Sequence, residues 1–160
     1  MNQRSPIIGV IGSGLCESSI YQLAVEVGEE IAKRGAILVC GGLAGVMEAA
    51  AKGASSAGGL TVGILPGPST NRANSFIKIP VATDMGQARN VIIAHTADAL
   101  VAVAGGAGTL SEIGHALKVG KPVVGLQTIP DLKGVEYLDT AQEAIARVFE
   151  LIGSSSIQLP

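Results

Sequence analysis

The residues in this 160-residue chain best suited to chemistry are one glycine-rich run, one arginine and two shorter glycine turns. The run is Gly105-Gly106-Ala107-Gly108-Thr109-Leu110-Ser111-Glu112. A glycine-rich turn that opens a helix presents backbone N–H groups to an anion. Glycines at 105, 106 and 108 let the backbone take positive φ and come close to a ligand. Thr109 and Glu112 fit the S/T-x-x-E capping box, so Glu112 has two readings, helix cap or functional carboxylate, and the sequence leaves both open. Arg89 shares a helical stripe with Met85, Ile92, Ile93 and Thr96. A guanidinium at the end of an apolar face is costly without a partner, so a partner is implied. An acid, an arginine and a helix N-terminus around one cavity suit a phosphorylated sugar or nucleotide.

Other reactive side chains carry less. His95 and His115 fall toward the far ends of their helices and read as solvent or core contacts. Cys16 and Cys40 have neither metal-ligand spacing nor a partner motif, so free thiols are expected and no metal site is. Asn90, Ser13 and Ser69 have ligand-binding capacity, and nothing in the sequence ranks them.

Alternating elements must position these groups. A β-rich run at 7–11 ends in Gly12-Ser13-Gly14, and a helical pattern follows over 17–34, with Tyr21, Ala24, Val25, Gly28 and Ile31 in phase. A second apolar run, 36–40, leads into Gly41-Gly42-Leu43-Ala44-Gly45 and an alanine-rich helix carrying Val46, Met47, Ala50 and Ala54. A third strand, 60–65, ends in Pro66-Gly67-Pro68. Residues 69–75 read as a polar loop and are expected to contribute ligand specificity. A strand over 76–83 needs Pro80 at an edge or bulge. Asp84, with Gln87 three residues on, marks a helix to about residue 97, and 99–104 reads as a buried strand. A helix from the glycine run, a strand at 122–126, a loop at 127–137 and a helix at 139–152 complete the chain. That last helix carries the stripe Ala141, Ala144, Ile145, Val148 and Leu151.

This alternation predicts an α/β fold: a Rossmann-like, doubly wound parallel sheet in a single domain over residues 1–153, with 154–160 a mobile tail. In such sheets a ligand lies beyond the carboxyl ends of the strands, near a switch in strand order. The turns at 12–14, 41–45, 66–67 and 105–108 all fall at that end. A helix from Asp84 antiparallel to the strand at 99–104 brings Arg89 and the 105–112 segment to one pocket.

Composition and motifs narrow the function. Apolar residues make up 48% and aromatics 2%, so few rings are present on which to stack bases, and the net charge of −2 gives no electrostatic footprint for nucleic acid. Apolar runs are broken well short of a bilayer span, and the first residues lack a signal-peptide core, so no membrane role and a cytoplasmic location are expected. No glycine turn is followed by the lysine of a Walker A loop. The dinucleotide fingerprint fails as well: Gly12-x-Gly14 is followed by Glu17 where a third glycine belongs, and the second strand ends in Cys40-Gly41-Gly42 without an acid for a ribose hydroxyl.

The motifs resemble those of the LOG-like (Lonely Guy, "lysine decarboxylase-like") superfamily. Residues 105–112 resemble its GGxGTxxE signature, Gly41-Gly42-Leu43-Ala44-Gly45-Val46-Met47 its second glycine loop, Gly63-Ile64-Leu65-Pro66 its third strand, and Met85 with Arg89 its Met and Arg before the glycine loop. The resemblance implies phosphoribohydrolase activity, releasing cytokinin base from a nucleoside 5'-monophosphate, with Arg89 and Glu112 as catalytic pair. Phosphate would lie on the backbone of Gly105, Gly106, Ala107, Gly108 and Thr109, with Gly12, Ser13, Gly14, Gly41, Gly42 and Gly45 also at the ligand. The enzymes usually carry Pro before the two glycines and a tight M-H-x-R-K, where this chain has Ala104 and Met85-Gly-Gln-Ala-Arg89-Asn90. These features, with the short length, are closer to the molybdenum cofactor carrier branch. That branch implies binding of the cofactor without turnover, and both branches imply a homo-oligomer, dimer or tetramer. The carrier is the leading expectation, the hydrolase the alternative, and a nucleotide-sensing module a third.

Overall fold

The computed structural model describes residues 4–155. Seven strands form one sheet in the order β4-β3-β2-β1-β5-β6-β7, every neighbouring pair parallel. They are β1 (Ile7–Gly12), β2 (Ile37–Cys40), β3 (Thr61–Leu65), β4 (Ile79–Ala82), β5 (Ala99–Val103), β6 (Val123–Leu126) and β7 (Val135–Tyr137). Helices α1 (Ser18–Lys33), α2 (Val46–Ser56) and α5 (Ala141–Ser155) cover one face, and α3 (Arg89–Thr96) and α4 (Ala107–Lys118) the other. This is a Rossmann-like α/β fold in a single domain.

Central strands buried on both faces need apolar residues at every position, and period-two alternation divides them between two cores. From β5, Ala99, Val101 and Val103 enter the core under α1, α2 and α5, while Leu100 and Ala102 enter the core under α3 and α4. Ile8 and Val10 of β1 join the first, Ile11 the second. Small residues let the helices approach closely. A Cβ on Gly28 of α1 would collide with the Ala50 carbonyl of α2, and one on Gly53 of α2 with the Val25 carbonyl of α1. The crossing of these helices is therefore backbone against backbone.

Several boundaries differ from the sequence expectation. β4 is one of the two edge strands, which accommodates Pro80: it pairs through one side only, opposite Gly63. The helix expected from Asp84 starts later. Asp84 takes a left-handed φ of 52°, a 3₁₀ turn occupies Gly86–Ala88, and α3 begins at Arg89. The Asp84 N–H donates to the Gly67 carbonyl at 2.9 Å and no side chain caps the turn that follows, so Asp84 and Gln87 form no capping box. The segment expected as a loop at 127–137 contains β7, a strand too short and too exposed to show periodicity. Within 69–75 a 3₁₀ turn spans Thr70–Arg72, with the Ser69 hydroxyl accepting from the Asn71 N–H. Residues 154 and 155 of the expected tail extend α5, and 156–160 lie outside the described residues.

Candidate functional site

Strand order reverses between β1 and β5, because β1 leads on to β2 on one side and pairs with β5 on the other. The turns leaving these two strands diverge to opposite faces and leave a crevice. A cavity of about 290 Å³ opens there, lined by Gly12, Ser13, Gly14, Met47, Gln87, Arg89, Asn90, Gly106, Ala107, Gly108, Thr109 and Glu112.

One wall of the cavity is the start of α4. The N-cap is Gly106, which brings no side-chain cap, and the first intrahelical return is from Leu110 N–H to the Gly106 carbonyl at 2.9 Å. The N–H groups of Ala107, Gly108 and Thr109 precede that bond and have no helical acceptor. Leading into the turn, Ala104 has φ 47° and Gly105 φ 107°. The Ala104 conformation is held from both ends: its N–H donates to Leu126 O at 3.0 Å, and its carbonyl accepts from the Thr128 hydroxyl at 2.6 Å. Gly105 makes room for Thr109, whose side chain a Cβ there would strike.

Because α4 begins at Ala107, Thr109 lies inside the helix and is buried. The expected Thr109–Glu112 capping box is therefore not formed. Glu112 sits in the second turn, 8% exposed, and lines the cavity.

Arg89, the first residue of α3, is 6% exposed. Its Nη1 donates to the Ile64 carbonyl near the end of β3 at 2.9 Å, while Nε is buried without a partner. The guanidinium lies directly over Gly41, where a Cβ would collide with Nη1. Of the expected stripe only Ile93 is buried with Arg89; Met85 precedes the helix and is exposed. Asn90 is equally buried, its Nδ2 reaches Gln87 Oε1 at 3.5 Å, and its Oδ1 has no partner.

Burial raises the cost of charge on both ionisable groups. It pulls the Arg89 pKa below its usual value, against the opposing effects of Glu112 and Cys40. It pushes Glu112 up to about 7, with Arg89 pulling the other way. The two groups act through space; no ion pair joins them among the described residues. Cys40, fully buried behind the wall, is pushed up to about 11 by burial and is a protonated thiol at neutral pH. Its Sγ lies 3.7 Å from the Met47 carbonyl and accepts from the Gly42 N–H at 3.4 Å.

The structure thus brings Gly12, Ser13, Gly14, Arg89, Gly106, Ala107, Gly108, Thr109 and Glu112 to one cavity. Gly41, Gly42, Gly45 and Gly105 are not on its lining but permit close approaches: Gly41 to the side chains of Arg89 and Met47, Gly42 to Leu65, Gly105 to the side chain of Thr109, and Gly45, at φ 67°, to the backbone of Ser13 and Gly14. Two wall residues escaped sequence reasoning in this role. Met47 follows the second glycine loop and reads as core, and Gln87 reads as a cap. The 69–75 loop, Ser69 included, contributes nothing to this wall. Asn74 pins it instead to the second glycine loop, donating through Nδ2 to Leu43 O at 2.8 Å and through its backbone to Gly42 O at 2.9 Å. His95 and His115 are exposed, and Cys16 is half-buried; none of the three lines the cavity.

A family model described as the SLOG cluster4 family matches residues 5–152. The chain belongs to the SLOG cluster4 family. This member lies in the LOG-like superfamily near the molybdenum cofactor carrier branch. The molybdenum cofactor binding protein of Rippkaea orientalis superposes with a TM-score of 0.89 at 35% identity, over 94% of this chain and 99% of that one. The molybdenum cofactor carrier protein of Chlamydomonas reinhardtii gives a TM-score of 0.86 at 41% identity, with the same coverage. A cytokinin riboside 5'-monophosphate phosphoribohydrolase of Mycobacterium tuberculosis is 36% identical over 116 residues, 67% of this SLOG cluster4 chain and 62% of the enzyme's length.

Proposed function

We propose that this protein binds the molybdenum cofactor as cargo and serves as its carrier. The observation that carries the reading is a buried arginine with an unpartnered Nε, set in a cavity that also holds the uncapped start of α4. Such a pair asks for an anion, and a phosphate monoester supplies it. The phosphate would lie on the N–H groups of Ala107, Gly108 and Thr109 beside Arg89, with Gly12, Ser13, Gly14 and Gly106 packed round it. Gly41, Gly42, Gly45 and Gly105 would support it through the close approaches they permit. Asn90 and Gln87 offer hydrogen bonds to a polar heterocycle, and Met47 an apolar surface. The likeness to two proteins named for this cofactor, over almost their whole lengths, supports the choice of cargo.

Expression in a cofactor-producing host tests the reading. Purified wild type is expected to carry molybdenum and a pterin detectable by fluorescence after oxidation, and Arg89→Ala to carry neither. A wild type without both would overturn it.

A phosphoribohydrolase is the second reading, favoured by Glu112. A carboxyl group titrating near neutrality beside a phosphate site can stabilise an oxocarbenium-like state while orienting water or a ribose hydroxyl, with Arg89 as its partner. Release of free base from AMP or a cytokinin riboside monophosphate by wild type, and not by Glu112→Gln, would establish it and sink the pure-carrier reading. In either case we expect a cytoplasmic homo-oligomer. Exposed Ile79 and Val81 on the edge strand β4 support the oligomer; no helix among the described residues is long and apolar enough to cross a membrane.

A further inference from the structure

An anion on the first turn of α4 would meet a second negative group in the same cavity. Glu112 lies three residues beyond Thr109, about one turn, and side chains on a helix lean toward its N-terminus, so its carboxyl approaches the N–H groups that would hold the anion. The cavity has little charge with which to reconcile them. Among the described residues Arg89 is the only cation on its wall, and its Nη1 is already engaged by the Ile64 carbonyl. From β2 the Cys40 thiol, packed on the other face of the sheet, is neutral. The β1 turn and α2 bring Gly12, Ser13, Gly14 and Met47, none of which titrates. Glu48 of α2 lies off this wall and accepts from the Tyr21 hydroxyl at 3.1 Å. On α4 itself, His115 and Lys118 are exposed and off the wall. A phosphate dianion and the Glu112 carboxylate would thus share one arginine at low dielectric, where like charges repel strongly.

We propose that a phosphate-bearing ligand enters this cavity together with one proton, which converts the Glu112 carboxylate to a carboxylic acid that donates a hydrogen bond to the ligand. The proton comes from solvent and returns to it on release, so no bond of the ligand is made or broken. This rests on the phosphate-site reading above and adds a consequence to it. In its acid form Glu112 has lost the proton acceptor that would activate water, so binding itself silences the carboxylate. The same cavity then holds a phosphorylated ligand without turnover at neutral pH, and hydrolysis, where it occurs, rises with pH.

Titration calorimetry of the full chain with AMP, in buffers of different ionisation enthalpy, counts the protons taken up. At about pH 8, where a phosphate monoester is already a dianion, wild type is expected to take up between about half and one proton per AMP bound. Its affinity should fall by up to about tenfold per pH unit above neutrality. Glu112→Gln, a neutral isostere, is expected to bind without proton uptake and with affinity independent of pH in that range. AMP binding by wild type without proton uptake, or uptake retained in Glu112→Gln, would overturn the proposal while leaving the phosphate site standing. No binding of AMP by either protein would overturn both.

Discussion

A carboxyl group that keeps its proton to about pH 7 in the fold, against 4.5 ordinarily, binds protons more tightly folded than unfolded. The stability associated with Glu112 is therefore fully present below pH 4.5 and is lost as pH rises through about 7. The full span is roughly 3 kcal/mol. Glu112→Gln removes this dependence, so the variant should gain on wild type between pH 5 and pH 8 by most of that amount, read from urea midpoints at the two pH values. A gap that stays constant with pH would refute the assignment. Ala104 offers a second test. Its φ of 47° is unfavourable for an L-residue by about 1–2 kcal/mol, from which glycine's greater chain entropy subtracts up to about 1. Ala104→Gly should be neutral to stabilising by about 1 kcal/mol in denaturant unfolding. Ala104→Pro should instead destabilise strongly, because the ring fixes a negative φ and removes the N–H bonded to Leu126. The proline that usually precedes the two glycines in the phosphoribohydrolases could not take the path the backbone follows here.

Helices α1 and α2 depend on two glycines rather than on large side chains. Gly28→Ala and Gly53→Ala would each push a methyl group into a carbonyl of the facing helix. Each is expected to lower stability by about 1–3 kcal/mol, as overpacking does. Circular dichroism melts should show the loss, whereas Gly114→Ala, at an exposed position of α4 with open space around it, should gain slightly from helix propensity. Element boundaries also show why short motifs mislead. Both capping boxes read from the sequence failed, and for related reasons. At α4, Gly106 lets the chain turn early, so the helix begins before Thr109. At α3, the left-handed Asp84 and the 3₁₀ turn delay the helix to Arg89, which places the guanidinium in the first turn, over Gly41. A four-residue pattern encodes the capacity for a cap, and the neighbouring backbone decides whether it is used.

At the scale of the molecule, the site exists because β1 and β5 are neighbours although some ninety residues separate them in the chain. A ligand in this cavity would add contacts between the β1 turn on one side and α3 and α4, which pack on each other, on the other. Binding restricted to the folded state should add about 2.7 kcal/mol of stability at a hundredfold excess over Kd and raise the melting temperature accordingly. Cofactor-loaded wild type should therefore melt above the empty protein, and Arg89→Ala should show no such shift in the same preparation. The sequence by itself determined the alternation of strands and helices, the two-sided burial of β5, the glycine turns at the strand ends and the residues Arg89 and Glu112, because each of these is written in local periodicity or residue type. It missed β7, whose three residues are too few for a period, and it assigned ligand reading to the 69–75 loop, which Asn74 ties to the second glycine loop and which is not on the cavity wall. Only the tertiary structure decided that Glu112 is a buried cavity carboxyl instead of a cap, that Arg89 bonds a carbonyl of β3, and that Met47 and Gln87 join the wall. Those outcomes depend on which distant segments exclude water from which atoms, and solvent exclusion is a property of the assembled fold.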